Sequence, residues 1–367
     1  MNHAMNRRRF VLGSGALVAL TAVGRPSRAQ EPMKVPVVDS LVVKVLTDSS
    51  YDTPRAMQNK FVKVKRAGLA SPLDFRKTLH NEWGLALALE SRIGSDARFL
   101  MLDYGYTPEA LLGNMQIMGV DAAKMNALIL SHGHYDHFGG LLGFLEKYRA
   151  QLPADVTLYV GGEDNFCIRK SVAGAPGHFS DFGALDRREL ARLNVKVVTC
   201  ESPTVIQGHA FTTGTIARKS FEKVLPNTMV SYHKENGLGC DIPAADAKAE
   251  GKLVADQHLN EHATCFDVKD RGLVVISSCG HVGIVNSVRQ AIEVSGVRKV
   301  HAIMGGFHLF PADDEYLRRV VTELRAFDPD VIIPLHCSGP GVITAMREQA
   351  PEKLITSTTG TEFTFGA

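Results

Sequence analysis

Apolar residues recur along this chain in short runs, each broken within a few positions by glycine, proline or a polar cluster. Leu41–Leu46, Trp83–Glu90, Arg98–Leu102, Ala127–Leu130, Val156–Val160 and Val195–Thr199 read as strands. Between them, Thr107–Gly119 and Gly139–Arg149 have helical spacing, the first with Pro108 in its opening turn. The last third alternates most cleanly. It predicts strands at Leu273–Ile276, Val300–Met304 and Val331–Leu335, and helices at Ile284–Val294, Asp314–Phe327 and Gly341–Gln349. Such alternation predicts an α/β fold. Each of the three late strands runs directly into Gly, Ser, Cys or His, which places His281, His308 and His336 on one rim of strand ends, where ligands gather in α/β architecture. Residues 161–265 lose this rhythm to turns such as Gly174-Ala175-Pro176-Gly177 and Gly237-Leu238-Gly239, and read as a cap or insertion over one face.

Composition narrows the class without naming a task. With 367 residues, 45% hydrophobic and 22% charged, the chain is neither disordered nor a coiled coil nor collagen-like, and it can bury a substantial core. A formal net charge of +2 gives no electrostatic reason to expect nucleic acid or an acidic membrane as partner; a small-molecule substrate is expected instead. The first residues modify this picture. Arg7-Arg8-Arg9-Phe10 precedes an apolar stretch from Val11 to Val23, shorter than the roughly 20 residues of a membrane span, and Ser27-Arg28-Ala29 has the small residues of a cleavage site. Residues 1–29 therefore read as a signal peptide, with residues 30–367 as the mature domain. The paired arginines resemble a twin-arginine export signal, which implies a periplasmic protein with no stable membrane anchor after cleavage. Cleavage removes five arginines and no acidic residue, lowering the net charge by five to −3. The six cysteines form no CxxC pair, and Cys240 with Cys265 is a candidate disulfide.

The chemistry is concentrated in Ser131-His132-Gly133-His134-Tyr135-Asp136-His137, between a predicted strand and a predicted helix. Three imidazoles and a carboxylate within six residues form a donor set suited to zinc, and also to manganese or iron. Successive ligands in a tight turn point in different directions, so the cluster can serve one or two adjacent ions. Desolvating so many imidazoles without a cation would leave polar groups unpaired.

These residues resemble the His-x-His-x-Asp-His signature of metallo-β-lactamase-fold hydrolases. Within that superfamily the chain is most similar to the branch of dihydropterin-methyl-aminobenzene phosphate synthase-like proteins. The likeness rests also on His80–Glu90, Leu102-Asp103-Tyr104-Gly105, Asp256-Gln257, Ser278–Asn286, Gly305-Gly306-Phe307-His308-Leu309 and Pro334-Leu335-His336-Cys337-Ser338-Gly339, in that order. The resemblance implies an αββα sandwich, a bound metal and hydrolytic chemistry. There are departures. Thr213–Arg218 lacks the Glu and Pro of the matching motif, the usual third-motif histidine has no counterpart, and His281 stands near the place of the usual bridging aspartate.

On this reading His132, His134 and His281 hold one ion, and Asp136, His137 and His336 a second. Asp136 both ligates and orients the attacking water, and His308 protonates the leaving group. Asp103 supports a ligand histidine rather than binding metal. Cys279 and Cys337 read as small buried thiols. His178, His209, His233, His258 and His262 fall in the cap, mostly as surface residues; His262, beside Glu261, is the best placed of them to face substrate, though it too reads first as a surface residue. The expected function is a metal-dependent hydrolase of an ester, lactone, lactam or phosphodiester. The alternatives are a transferase of the pterin-pathway type and a non-catalytic binding member of the fold.

Overall fold

Two twisted sheets face each other, and each delivers the carboxyl ends of parallel strands to the same edge of the molecule. The computed structural model describes residues 31–52, 59–68, 74–172, 177–242 and 252–366. The signal-peptide reading of residues 1–29 lies outside them. The first sheet runs in the order Lys196–Thr199, Thr157–Val160, Met125–Leu130, Asp96–Leu102, Ala86–Ile93, Ser40–Thr47, Thr361–Gly366, Lys63–Arg66. Its first four strands are parallel and the rest antiparallel. The second sheet runs Val205–Ile206, Ala210–Thr212, Thr264–Val268, Gly272–Ser277, Val300–Gly306, Val331–Leu335, with the last three parallel and Val37–Val38 beside Thr264–Val268.

Burial follows from this layering. Ser40–Thr47 and Thr361–Gly366 alternate buried and half-buried positions, whereas Val300–Gly306 and Val331–Leu335 are buried throughout, as parallel strands covered on both faces must be. One apolar cluster, including Val43, Leu100, Phe266, Ile276, Met304 and Phe363, fills the space between the sheets. A second packs Leu128 and Met101 against Leu111, Met115 and Phe144 of the helices Pro108–Ile117 and Leu141–Tyr148. A third packs Ile303 and Ile332 against the helices Ile284–Ser295, Asp314–Ala326 and Gly339–Gln349. The result is the expected α/β fold, an αββα sandwich. Among the described residues, no helix is long and apolar enough to cross a membrane.

Several expectations are modified. The helix expected over Gly139–Arg149 is Leu141–Tyr148, and a separate short helix, Tyr135–Phe138, precedes it. The strands Lys63–Arg66 and Thr361–Gly366 were not anticipated, being short and half polar. The cap is narrower than 161–265. Lys196–Thr199 extends the first sheet, and Val205–Ile206, Ala210–Thr212 and Thr264–Val268 belong to the second. Among the described residues, the strands that stand apart from both sheets are a four-stranded sheet (Val254–Ala255, Met229–Ser231, Ile168–Val172, Phe179–Asp181) and the ribbon Lys234–Glu235 with Leu238–Gly239. Strands of two to four residues carry too little periodicity to be assigned to a sheet from sequence. The disulfide also differs. Cys167 pairs with Cys240, while Cys265 is a buried free thiol on Thr264–Val268, packed with the helix layer of the second sheet.

Because Phe266 lies fully buried between the sheets, Phe266→Ala is expected to cost about 3–5 kcal/mol of stability, read by denaturant unfolding. A loss under about 1 kcal/mol would contradict the placement.

Candidate metal centre

Met125–Leu130 ends at the carboxyl edge of the first sheet, and Ser131–His134 turns directly into Tyr135–Phe138. The turn can lie this deep because residue 133 is glycine. A Cβ there would stand 2.4 Å from Arg169 Nη1 and 2.5 Å from the Asn165 carbonyl oxygen. The second sheet supplies the opposing groups. His281 follows Gly272–Ser277, His308 follows Val300–Gly306, and His336 follows Val331–Leu335.

Two donor sets result. The ligand atoms of His132, His134, His258 and His281 lie within 4.8 Å of one another, and so do those of Asp136, His137 and His336. The sets adjoin, with the rings of His132 and His137 4.2 Å apart. His132 to His281 and His137 to His336 are each 5.0 Å. The sequence-assigned groups are therefore brought together, with one addition. His258, expected at the surface, is fully buried and stacks on His281 at 3.7 Å and 4°. It fills out the first set, for which the sequence offered no third-motif histidine.

A hydrogen-bond relay fixes how the rings present their nitrogens. The Ser131 hydroxyl donates to Asp103 Oδ2 at 2.7 Å and stands 2.9 Å from His132 Nδ1, while His137 Nδ1 lies 2.7 Å from the same carboxylate oxygen. Both Nδ1 atoms thereby carry their protons outward, leaving both Nε2 lone pairs facing the cluster. Asp103 has the supporting role its position suggested. On the other side, His134 Nε2 bonds Thr228 Oγ1 at 2.8 Å, and Thr228 donates to Asp256. Arg169, fully buried, holds Asp256 at 2.5 Å and Asp164 at 3.0 Å, tying the cap sheet to the centre. Glu261, also buried, accepts the N–H groups of Gly280 and Val282 and clamps the loop that carries His281. Neither Arg169 nor Glu261 carries a motif signal that sequence reasoning could use.

The donor chemistry fits a divalent cation. His132 Nε2, His137 Nε2, both nitrogens of His281, His258 Nδ1, His336 Nε2 and Asp136 Oδ1 are buried without a hydrogen-bond partner. Such groups are few in native interiors, and seven of them gathered in one cluster fit a shared cation. Burial first, then the neighbouring imidazoles, hold His132 and His281 well below the ordinary histidine range, so their lone pairs are free. His134 is lowered in the same way. Burial also takes His258 down to about 3, despite Asp256. The second set differs. Burial would lower His336, but the charges of Cys337 and Asp136 push it up to about 10. Asp136 Oδ2 lies 3.3 Å from His336 Nε2, and the nearby imidazoles hold Asp136 below the usual carboxylate value against its burial. His258, His308, His336 and Asp103 all have positive φ, between 44° and 58°. Backbone strain of this kind, about 1–3 kcal/mol per residue, persists where the surroundings over-determine the geometry.

His308 is on the wall of the same cavity of about 440 Å³, with Nε2 3.1 Å from the Pro226 carbonyl and its ring 4.1 Å from His281. Burial lowers its pKa, but Cys337 and the Pro226 carbonyl raise it above the ordinary value overall. Cys279 and Cys337 are buried thiols, as expected, and they also line this cavity, with sulfurs 3.0 Å apart. The remaining cap histidines scatter. His262 does not line the cavity, and it is buried rather than at the surface because its Nε2 bonds the Leu130 carbonyl at 2.9 Å. His209 is buried against Ser91 and Asp96, His178 is exposed and His233 is half-buried.

Metal binding should separate the two sets by pH. The first set is neutral throughout the physiological range, so its affinity should be nearly flat from pH 6 to 9. The second must displace a proton from His336, so its affinity should rise roughly tenfold per pH unit over that window. Competition with a chromophoric chelator at each pH measures both, and parallel pH dependences would contradict the assignment.

Comparison with known proteins agrees with this geometry. Residues 93–198 match the sequence model of the family described as the metallo-beta-lactamase superfamily. The 7,8-dihydropterin-6-methyl-4-(beta-D-ribofuranosyl)-aminobenzene-5'-phosphate synthase of Methanocaldococcus jannaschii is 28% identical over 265 residues, covering 71% of this chain and 82% of that protein. An uncharacterized protein of the same organism is 24% identical over 255 residues, covering 68% and 82%. Among solved structures, Tm1679, described as a metal-dependent hydrolase of the beta-lactamase superfamily, aligns with a TM-score of 0.62 at 20% identity, covering 88% of this chain and 98% of that one. By its paired sheets, its strand-end histidines and these likenesses, the chain has the metallo-β-lactamase fold, and residues 93–198 are similar in sequence to that superfamily.

Proposed function

We propose that this protein is a zinc-dependent hydrolase, with one or two ions, acting on an ester, lactone, lactam or phosphodiester. Manganese and iron suit the same donors. The observation that carries this reading is that both donor sets lie at one cavity, with a proton-bearing imidazole on its wall. When bound, a divalent ion lowers the pKa of water from about 15.7 toward about 7 and stabilises negative charge on a carbonyl or phosphoryl oxygen.

The chain's own residues do the rest. His132, His134, His258 and His281 form the first set, and Asp136, His137 and His336 the second. Asp136 Oδ1, buried and unpartnered, would orient the attacking water. His308 donates a proton to the departing atom, because its environment favours the protonated ring. Trp83 and Phe310 meet edge to face at 5.8 Å on the cavity lining, and Phe182 packs at 5.4 Å from His134. These rings favour a substrate with an apolar or planar portion beside the scissile bond.

A second reading, a transferase of the pterin-pathway type, is favoured by one observation: the 28% identity to the dihydropterin synthase over most of both chains. Turnover of a panel of esters, lactones, β-lactams and phosphodiesters separates the two, because a strict transferase leaves all four untouched in water alone. Chelation should abolish hydrolysis and Zn²⁺ or Mn²⁺ restore it. His308→Gln should keep its metal content while turnover falls about 10²–10⁴-fold. Full activity in the chelated protein would overturn the reading.

We further propose export to the periplasm by the twin-arginine route. N-terminal sequencing of protein recovered from an exporting bacterial host should begin at Gln30, and an intact Met1 end in that fraction would contradict it.

A further inference from the structure

We propose that Cys279 and Cys337 are a redox-active dithiol on the floor of the cavity, which closes to a reversible disulfide by exchange with a small solvent-borne disulfide. The two residues are 58 positions apart and follow different strands of the second sheet, Gly272–Ser277 and Val331–Leu335. Those strands are not neighbours. Val300–Gly306 lies between them. The thiols meet across its end because Gly306 has no side chain. A Cβ there would stand 2.9 Å from Cys337 Sγ and 3.1 Å from Cys279 Cα. The Cys279 and Cys337 sulfurs are 3.0 Å apart, and Cys337 Sγ is 3.5 Å from the Cys279 carbonyl. A disulfide needs an S–S separation of about 2.05 Å, so closure requires a movement of about 1 Å. Both residues are nearly buried but line a cavity of about 440 Å³ that opens to solvent, the route by which a small disulfide would reach them. All four free thiols are buried, but Cys200 and Cys265 do not line the cavity.

The pair also has a structural link to the metal centre. Cys279 Sγ lies within 4.8 Å of the donor atoms of His132 and His137, and both sulfurs lie within that distance of a His336 nitrogen. Closing the bond fixes two soft donors against each other beside both sets. The sulfur pair is thus placed to alter how the centre holds a cation without any large rearrangement of the fold.

The exchange balances with oxidised glutathione as the disulfide. One protein thiolate attacks a glutathione sulfur, breaks its S–S bond and expels one glutathione thiolate, leaving a protein–glutathione mixed disulfide. The second protein thiolate attacks the protein-side sulfur and expels the other glutathione. The two protein thiols are oxidised, one oxidised glutathione becomes two reduced ones, and the two thiol protons pass to the released thiolates or to solvent.

The test uses the as-isolated full chain, first reduced mildly, then equilibrated with mixtures of reduced and oxidised glutathione. The free thiols are blocked under acid quench, and the protein is digested without reductant for mass spectrometry. A peptide pair joined through Cys279 and Cys337 should grow with the oxidised fraction and vanish on reduction. Cys200 and Cys265 should remain alkylated as free thiols. Cys279→Ser and Cys337→Ser should each trap one glutathionyl group on the surviving cysteine. The wild-type result stands even where a variant does not fold. Recovery of Cys279 and Cys337 as free thiols at every ratio, or crosslinks spread equally over Cys200 and Cys265, would overturn the proposal.

Discussion

Everything in this molecule turns on the cost of burying imidazole nitrogens that nothing in the protein satisfies. An unbonded polar group in an apolar interior costs kilocalories, and here several from both sheets point at one another. A fold meets such a cost only if a ligand repays it, and a divalent cation is the ligand that accepts imidazole and carboxylate lone pairs together. The surrounding structure is organised to keep those lone pairs aimed inward. Ser131 holds the outward nitrogen of His132 and Asp103 that of His137, Thr228 bonds Nε2 of His134, and Ser49 stands 2.9 Å from Nδ1 of His336. Each supporting hydrogen bond selects one ring nitrogen for the centre.

The architecture serves this purpose economically. Parallel strands buried on both faces are rigid, and their carboxyl ends present loops to one edge. Because the two sheets are packed face to face through Phe266, Met304 and their neighbours, groups 150 to 200 residues apart in sequence arrive within a few ångströms. The cap is linked to the same point from its own side. The Arg169–Asp256 pair, with burial opposed by the guanidinium charge, keeps Asp256 ionised at about 2 and places it beside Thr228 and His258. The cap sheet and the donor cluster therefore share a support, so changes in the cap sheet should be felt at the centre.

Much of this was legible before any coordinates. His132, His134, Asp136 and His137 stand within six residues, so their convergence needs only one turn. His281, His308 and His336 each follow a strand whose apolar run is unmistakable, and the rule that ligands gather at strand ends placed them. Asp103 was read correctly for the same reason. What escaped notice lacked local signal. His258 lies in a stretch with no helix or long strand, held by side-chain contacts to Asp256 and Asn227 made in space rather than along the chain. The Cys167–Cys240 bond joins segments 73 residues apart, and no spacing rule selects it over Cys265. The thiol pair of Cys279 and Cys337 depends on a glycine in a third strand, which only the register of the sheet reveals.

The most direct test of the central claim is anomalous diffraction from crystals of the metal-loaded protein, recorded on both sides of the zinc absorption edge. The account predicts anomalous density within coordination distance of His132, His134 and the His258–His281 pair, or of Asp136, His137 and His336, or at both. A map with no peak among these seven residues, from crystals shown to contain zinc, would contradict it.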